Sequence, residues 1–244
     1  MIKGEEGPSR ASAIYAVDRY CAQEADIDTD GGLAVRAGAQ CYRAAMECQD
    51  GSLRDVRVAL FQAAEYLYRI AAGKGNLWGF VDLGYIYYYD RCEGAYYPDF
   101  RQEPDEAARA YCDAFPLDQR AYENYLHAAD LGEAQSCYKV GDLLKHGRGC
   151  ERDERAAFER YQQAYRLSDR SDAVAWGSAA LRLGDCFEQG IGVDVDFAEA
   201  LPWYERAEQG LGLAVESGSW YFKKSLASAK AGALRCRQEL SGEY

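Results

Sequence analysis

Residues 121–153 read AYENYLHAADLGEAQSCYKVGDLLKHGRGCERD, and the spacing within them decides the fold. Ala121, Tyr125 and Ala128 fall at i, i+4 and i+7, which puts them on one side of a helix. The pattern Ala-x-x-x-Tyr-x-x-Ala recurs as Ala64/Tyr68/Ala71, Ala157/Tyr161/Ala164 and Ala200/Tyr204/Ala207. A second element follows it, as Leu83-Gly84-Tyr85, Val140-Gly141-Asp142 and Leu183-Gly184-Asp185. Its glycine lies 16 residues after the tyrosine in the first two copies and 23 after it in the third, which therefore carries seven extra residues. Six residues beyond Gly141 and Gly184 come the turns Gly147-Arg148-Gly149 and Gly190-Ile191-Gly192. Asp153 and Asp196 then stand four residues before the alanine that opens the next copy.

Each part has a mechanical reading. Small residues at every turn let one helix approach its neighbour closely, and the tyrosine fills the gap between them. A mid-helix glycine costs about 1 kcal/mol relative to alanine, so its recurrence marks a tight crossing. Glycines in the turn supply the positive φ that ends one helix and reverses the chain. The aspartate starts the next helix as an N-cap or first-turn acid. Good helix formers dominate, and three of the five prolines (Pro98, Pro104, Pro116) fall in one stretch, leaving the rest nearly free of helix breakers. Alternating β-branched runs are absent, so strands have no support.

The 36-residue step from Tyr125 to Tyr161, with Leu-Gly-Asp and Gly-x-Gly-x-x-x-Asp, resembles the Sel1-like repeat, a relative of the tetratricopeptide repeat. Ala121 to Asp153 is the best unit, and the likeness runs from about 55 to 210. The resemblance implies an all-α chain, a right-handed α-solenoid of about five antiparallel helix pairs. The expected organisation is a degenerate capping pair at 10–50, a repeat at 55–92, an insertion at 93–117, a repeat at 118–153, a repeat at 154–196 with its own insertion at 166–176, and a C-terminal repeat with capping helix at 197–240. Terminal repeats of a solenoid are atypical because one face meets water. Asp90 stands where the first turn glycine belongs in the copy after Gly84. The 93–117 insertion holds Tyr96, Tyr97, Phe100, Tyr111 and Phe115, and a short helix is expected after Pro104. With Tyr85, Tyr87, Tyr88 and Tyr89 these aromatics are core packing or, alternatively, a binding surface.

Nothing in the chain reads as an active site. The two histidines, His127 and His146, form no metal-ligand spacing, and His146 is accounted for as a cation at a helix C-terminus. The Gly-x-Gly turns lack the third glycine and preceding strand of a dinucleotide site, and no phosphate-loop motif occurs. Nine cysteines at irregular spacings, with no C-x-x-C, read as reduced thiols in a cytoplasmic protein. One secreted subgroup of Sel1-like proteins carries a disulfide in each repeat and is linked to β-lactam binding; the resemblance places that pair near Ala129 and Cys137, and Ala129 is not cysteine. No cofactor or metal is expected. A net charge of −12 without a basic stripe argues against nucleic acid and anionic membranes. No stretch of 18 apolar residues predicts a membrane span, and no apolar leader stands at the N-terminus.

In this fold type the first helix of each pair lines a concave surface. The residues that would face it are Tyr66, Arg69, Glu123, Leu126, His127, Glu159, Gln162, Gln163, Glu205 and Arg206. This polar, aromatic and slightly acidic set suits a peptide or protein segment bearing basic residues. The function expected from the resemblance is a non-catalytic protein–protein interaction scaffold or adaptor. The alternatives are a cell-wall- or β-lactam-related enzyme or enzyme-associated module, and a regulator in bacterial envelope stress or virulence.

Overall fold

The computed structural model describes residues 8–242, and no strand occurs among them. Eleven helices are described: α1 (Arg10–Gln23), α2 (Gly32–Glu47), α3 (Arg54–Gly73), α4 (Leu77–Tyr88), α5 (Glu106–Asp113), α6 (Leu117–Asp130), α7 (Ala134–His146), α8 (Glu154–Leu167), α9 (Ala173–Gln189), α10 (Phe197–Glu216) and α11 (Lys223–Ser241). Single 3-10 turns precede α3, α9 and α11. The chain divides into two compact units, with the boundary in the sequence falling inside α6, between Asn124 and Tyr125.

In the first unit α1 packs on α2 and α3, α2 on α3, and α3 on α4. In the second, α7, α8, α9, α10 and α11 pack each on the next, and α9 also meets α7 and α11. Each unit is thus a run of adjacent helix pairs, as the repeated small-residue faces require. The cores follow the pattern read from the sequence. Ala64, Tyr68 and Ala71 are buried in the first unit; Tyr125, Ala128, Ala157, Tyr161, Ala164, Ala200, Tyr204 and Ala207 are buried in the second. Ala121 is buried as well.

The punctuation also behaves as its chemistry dictates. Gly147 and Gly190 end α7 and α9 in the left-handed conformation, at φ 65° and 74°. Asp153 and Asp196 cap α8 and α10, accepting hydrogen bonds from the amides of Ala156 at 2.9 Å and Glu199 at 3.0 Å. Such caps contribute about 1 kcal/mol each. Asp90, in the place of a turn glycine, takes φ 43°, the left-handed region that aspartate tolerates better than most residues. The expected helix after Pro104 is α5. The second insertion is the end of α8, the 3-10 turn Arg170–Asp172 and the start of α9. The C-terminal helix starts at Lys223, after a 3-10 turn at Trp220–Phe222.

Candidate functional site

The repeat motif turns out to be a lock between helices, and its parts belong to neighbouring copies. A Cβ on Gly141 of α7 would lie 2.4 Å from the Tyr161 ring of α8, so the glycine is the seat of that ring. The next residue, Asp142, accepts a hydrogen bond from the Tyr161 hydroxyl at 3.1 Å. It also takes a bidentate pair from Arg182 of α9, at 2.6 and 2.5 Å, while the guanidinium lies 4.4 Å over the Tyr138 ring. Tyr204 repeats the arrangement, packed on Gly184 of α9 and on Gly232 of α11, with its hydroxyl donated to Asp185 at 2.8 Å and to Glu188. Burial pushes the Tyr161 and Tyr204 hydroxyls far above the ordinary tyrosine range, and burial also raises Asp185. These groups hold packing together.

The first unit uses the same seat with a different acid. Gly38 of α2 lies under the Tyr68 ring, where a Cβ would come within 2.6 Å. Residue 39 is alanine, so the Tyr68 hydroxyl bonds Asp82 of α4 instead. Burial raises the Asp82 carboxyl to about 7, and no arginine joins it as Arg182 joins Asp142.

The groove residues have divergent fates. In the first unit, Tyr66 and Arg69 do not lie open; the 93–117 insertion crosses them as a strap. Arg69 donates to the Pro98 carbonyl at 3.0 Å and pairs with the buried Glu65 at 2.9 Å. Tyr66 accepts from Arg101 at 3.1 Å and sits edge-on to Phe100, 6.4 Å between centroids. Glu65 in turn accepts from the Tyr87 hydroxyl at 2.7 Å, and burial raises its carboxyl. The insertion's aromatics are mainly core: Tyr96 and Phe100 are buried, and Phe115 stacks on Tyr96 and tilts against Tyr87. Hydrophobic burial, rather than display to a partner, accounts for these rings. Glu123 is exposed and bound by Gln119 at 2.8 Å.

In the second unit His127 and Glu159 are exposed, and Leu126, Gln162, Gln163, Glu205 and Arg206 are half-buried. Glu159 pairs with Arg155, Gln163 accepts from Arg160, and Arg206 stacks 4.6 Å over Trp203. Glu205 belongs to a larger feature. It lines an open cleft of about 770 Å³ with Glu208, Gln209, Gly212, Leu213 and Glu216 of α10, against Leu226, Lys230 and Arg237 of α11, with Arg170 at the rim. Glu205 and Glu208 reach across to Arg237 at 2.8 Å and Lys230 at 3.8 Å. Leu213, in its lining, is 43% exposed. Sequence reasoning found Glu205 but not its neighbours, since only the docking of α11 creates the second wall. It also missed Gly38, Gly232 and Arg182.

The cysteines are free thiols. Cys137 lies with Sγ 3.8 Å from the Ala129 carbonyl, where the resemblance places a disulfide in other proteins. Burial raises Cys41 and Cys186 to about 12 and Cys137 to about 11, away from the thiolate that nucleophilic chemistry needs. Among the described residues no three His, Cys, Asp or Glu gather to hold a metal, and no helix is long and apolar enough to cross a membrane.

The Sel1 repeat family matches the chain three times, at residues 39–76, 134–169 and 177–210, each span reaching from one helix of a Gly–Tyr lock into the next. The crystal structure of a Sel1 repeat protein from Oxalobacter formigenes is similar over 83% of this chain and 74% of that one, at 18% identity and a TM-score of 0.51, a likeness of fold. A protective antigen present in uropathogenic Escherichia coli strains, displaying an SLR fold, aligns with 94% of this chain and 56% of its own, at 18% identity and a TM-score of 0.37. A search of curated proteins finds no match. Sel1 repeat proteins are generally protein-interaction scaffolds, and the fold is typically non-enzymatic. With the repeated Gly–Tyr–acid locks and the three matched spans together, the chain is a Sel1-like repeat protein.

Proposed function

We propose that this protein is a non-catalytic adaptor that holds a segment of another protein in the cleft between α10 and α11. The observation that carries the reading is the cleft itself: an open volume lined by exposed Leu213, by Leu226 and by charged residues of both helices. Apolar and charged side chains in one lining can anchor one or two side chains of a bound segment and orient the rest. Glu205 and Glu208 are already met by Arg237 and Lys230 across the cleft, so the preference for a segment with basic residues rests on Glu216 and on the chain's net charge of −12. The raised thiols support a binding role over a nucleophilic one, and free cysteines fit a reducing, cytoplasmic setting.

The test is affinity capture from native lysate, with mass spectrometry, using the wild type beside a Leu213→Asp/Glu208→Lys/Glu216→Lys variant shown to be folded by circular dichroism. A protein kept by the wild type and lost by the variant supports the cleft. An identical set of retained proteins removes it.

A further inference from the structure

The strap of the first unit is held in an unusual way. Three of its backbone carbonyls accept from side chains of the helices beneath: Ala95 from Gln62 at 2.8 Å, Pro98 from Arg69 at 3.0 Å and Phe100 from Arg10 at 3.0 Å. The first two donors lie on α3 and the third on α1. Between these clasps a single large side chain, Phe100, is driven down and is 2% exposed, beside Tyr66. Beyond it, Arg101 reaches Asp18 of α1 at 3.0 Å and the Tyr66 hydroxyl at 3.1 Å. In the rest of this stretch Pro98, Gln102 and Glu103 are exposed, Tyr97 is half-buried, and Asp99 pairs with Arg101 at 2.8 Å within the strap. Tyr96 and Phe115, packed together and against Tyr87, anchor the segment on either side.

Side-chain donors to main-chain carbonyls, one buried aromatic and an arginine on Asp18 are contacts that a separate non-helical segment can make equally. We infer that the α1/α3 face is a peptide-binding surface whose resident occupant is the chain's own strap, and that a partner segment of the same chemistry displaces residues 97–103. That chemistry is a non-helical segment with a proline and an acid before an aromatic residue, and an arginine after it to meet Asp18. The inference concerns the first unit alone and does not depend on the α10/α11 cleft.

The probe is a labelled synthetic peptide of residues 95–103, AYYPDFRQE, titrated against the full-length chain. Removing the resident side chain with Phe100→Ala raises the binding-competent fraction, so the peptide should bind that variant about tenfold or more tighter than the wild type. The same peptide with its phenylalanine replaced by alanine should lose that gain, and adding Arg10→Ala to the chain should weaken the peptide's binding. A folded Phe100→Ala chain that binds the peptide no better than the wild type overturns the inference, as does binding indifferent to Arg10→Ala. Should Phe100→Ala fail to fold, hydrogen exchange on the unaltered chain decides. Amides of 97–103 must exchange far faster than those of α3; equal protection would make the strap part of the cooperative core and end the proposal.

Discussion

Tyr66 and Arg69 on α3 stand at the same positions of the repeat as Glu159 and Gln162 on α8, yet the two faces are used differently. In the first unit the face is roofed by a strap that its own arginines clasp by the backbone. In the second the shorter 166–176 insertion reaches α10 through Arg170, which donates to Gln209 at 3.5 Å, and the space between α10 and α11 stays open to solvent. The locks beneath differ in the same sense. Tyr161 finds an aspartate already neutralised by Arg182; Tyr68 finds Asp82, whose charge burial disfavours. One repeat pattern therefore carries two chemistries. The shared part is the ring seated on glycine, and the variable part is whatever approaches the hydroxyl end of the ring and the outer face of its helix.

The shared part is where the largest effects are expected. Tyr161→Ala and Tyr68→Ala should each cost roughly 3–5 kcal/mol in denaturant or thermal unfolding, since both rings are almost fully buried. A loss below about 1 kcal/mol at either would show that the ring does not carry the packing in that unit. The seats come next. Gly141→Ala and Gly38→Ala should each cost about 1–3 kcal/mol, because the new methyl meets a ring at 2.4 or 2.6 Å. Gly212→Ala, also mid-helix but with open space around it, should stabilise by up to about 1 kcal/mol. Three equal effects would break the account of glycine as a seat.

The two acids should separate by pH. The folded Asp82 carboxyl, at about 7, lies above its unfolded value near 3.9, so the folded chain binds the extra proton between them. The stability this group contributes is fully present below about pH 4 and is lost as pH rises toward 7. Wild type should therefore lose more Tm between pH 5 and 8 than Asp82→Asn does, and matching slopes would refute the assignment. Asp142→Asn, which strips Arg182 of its partner, should destabilise at both pH values. The smallest effect on stability belongs to the open face. Leu213→Asp should change unfolding by no more than about 0.5 kcal/mol while abolishing retention of a cleft-bound partner. A large destabilisation there would mean that Leu213 is core.

Much of this architecture was legible in the chain. Helices, their caps, the turn glycines and the inward alanines and tyrosines all follow from spacings of a few residues, and local backbone chemistry obeys such spacings directly. The candidate surface was legible only in part. Glu205 was found because it lies on the right side of its helix, whereas Lys230 and Arg237 became its neighbours through the docking of α11. Tyr66 and Arg69 were placed on the right face, but nothing in their local pattern could show that Pro98 and Phe100 would arrive above them. The clasps join residues 29 and 90 positions apart, and no periodicity encodes such a separation. The sequence by itself determined which residues are helical, which of their sides point inward and where the chain turns, because those depend on geometry repeated within one or two turns. Only the tertiary structure decided which outward face is covered and which is open, because that depends on where an insertion of irregular backbone finds donors for its carbonyls and a place to bury its aromatic rings.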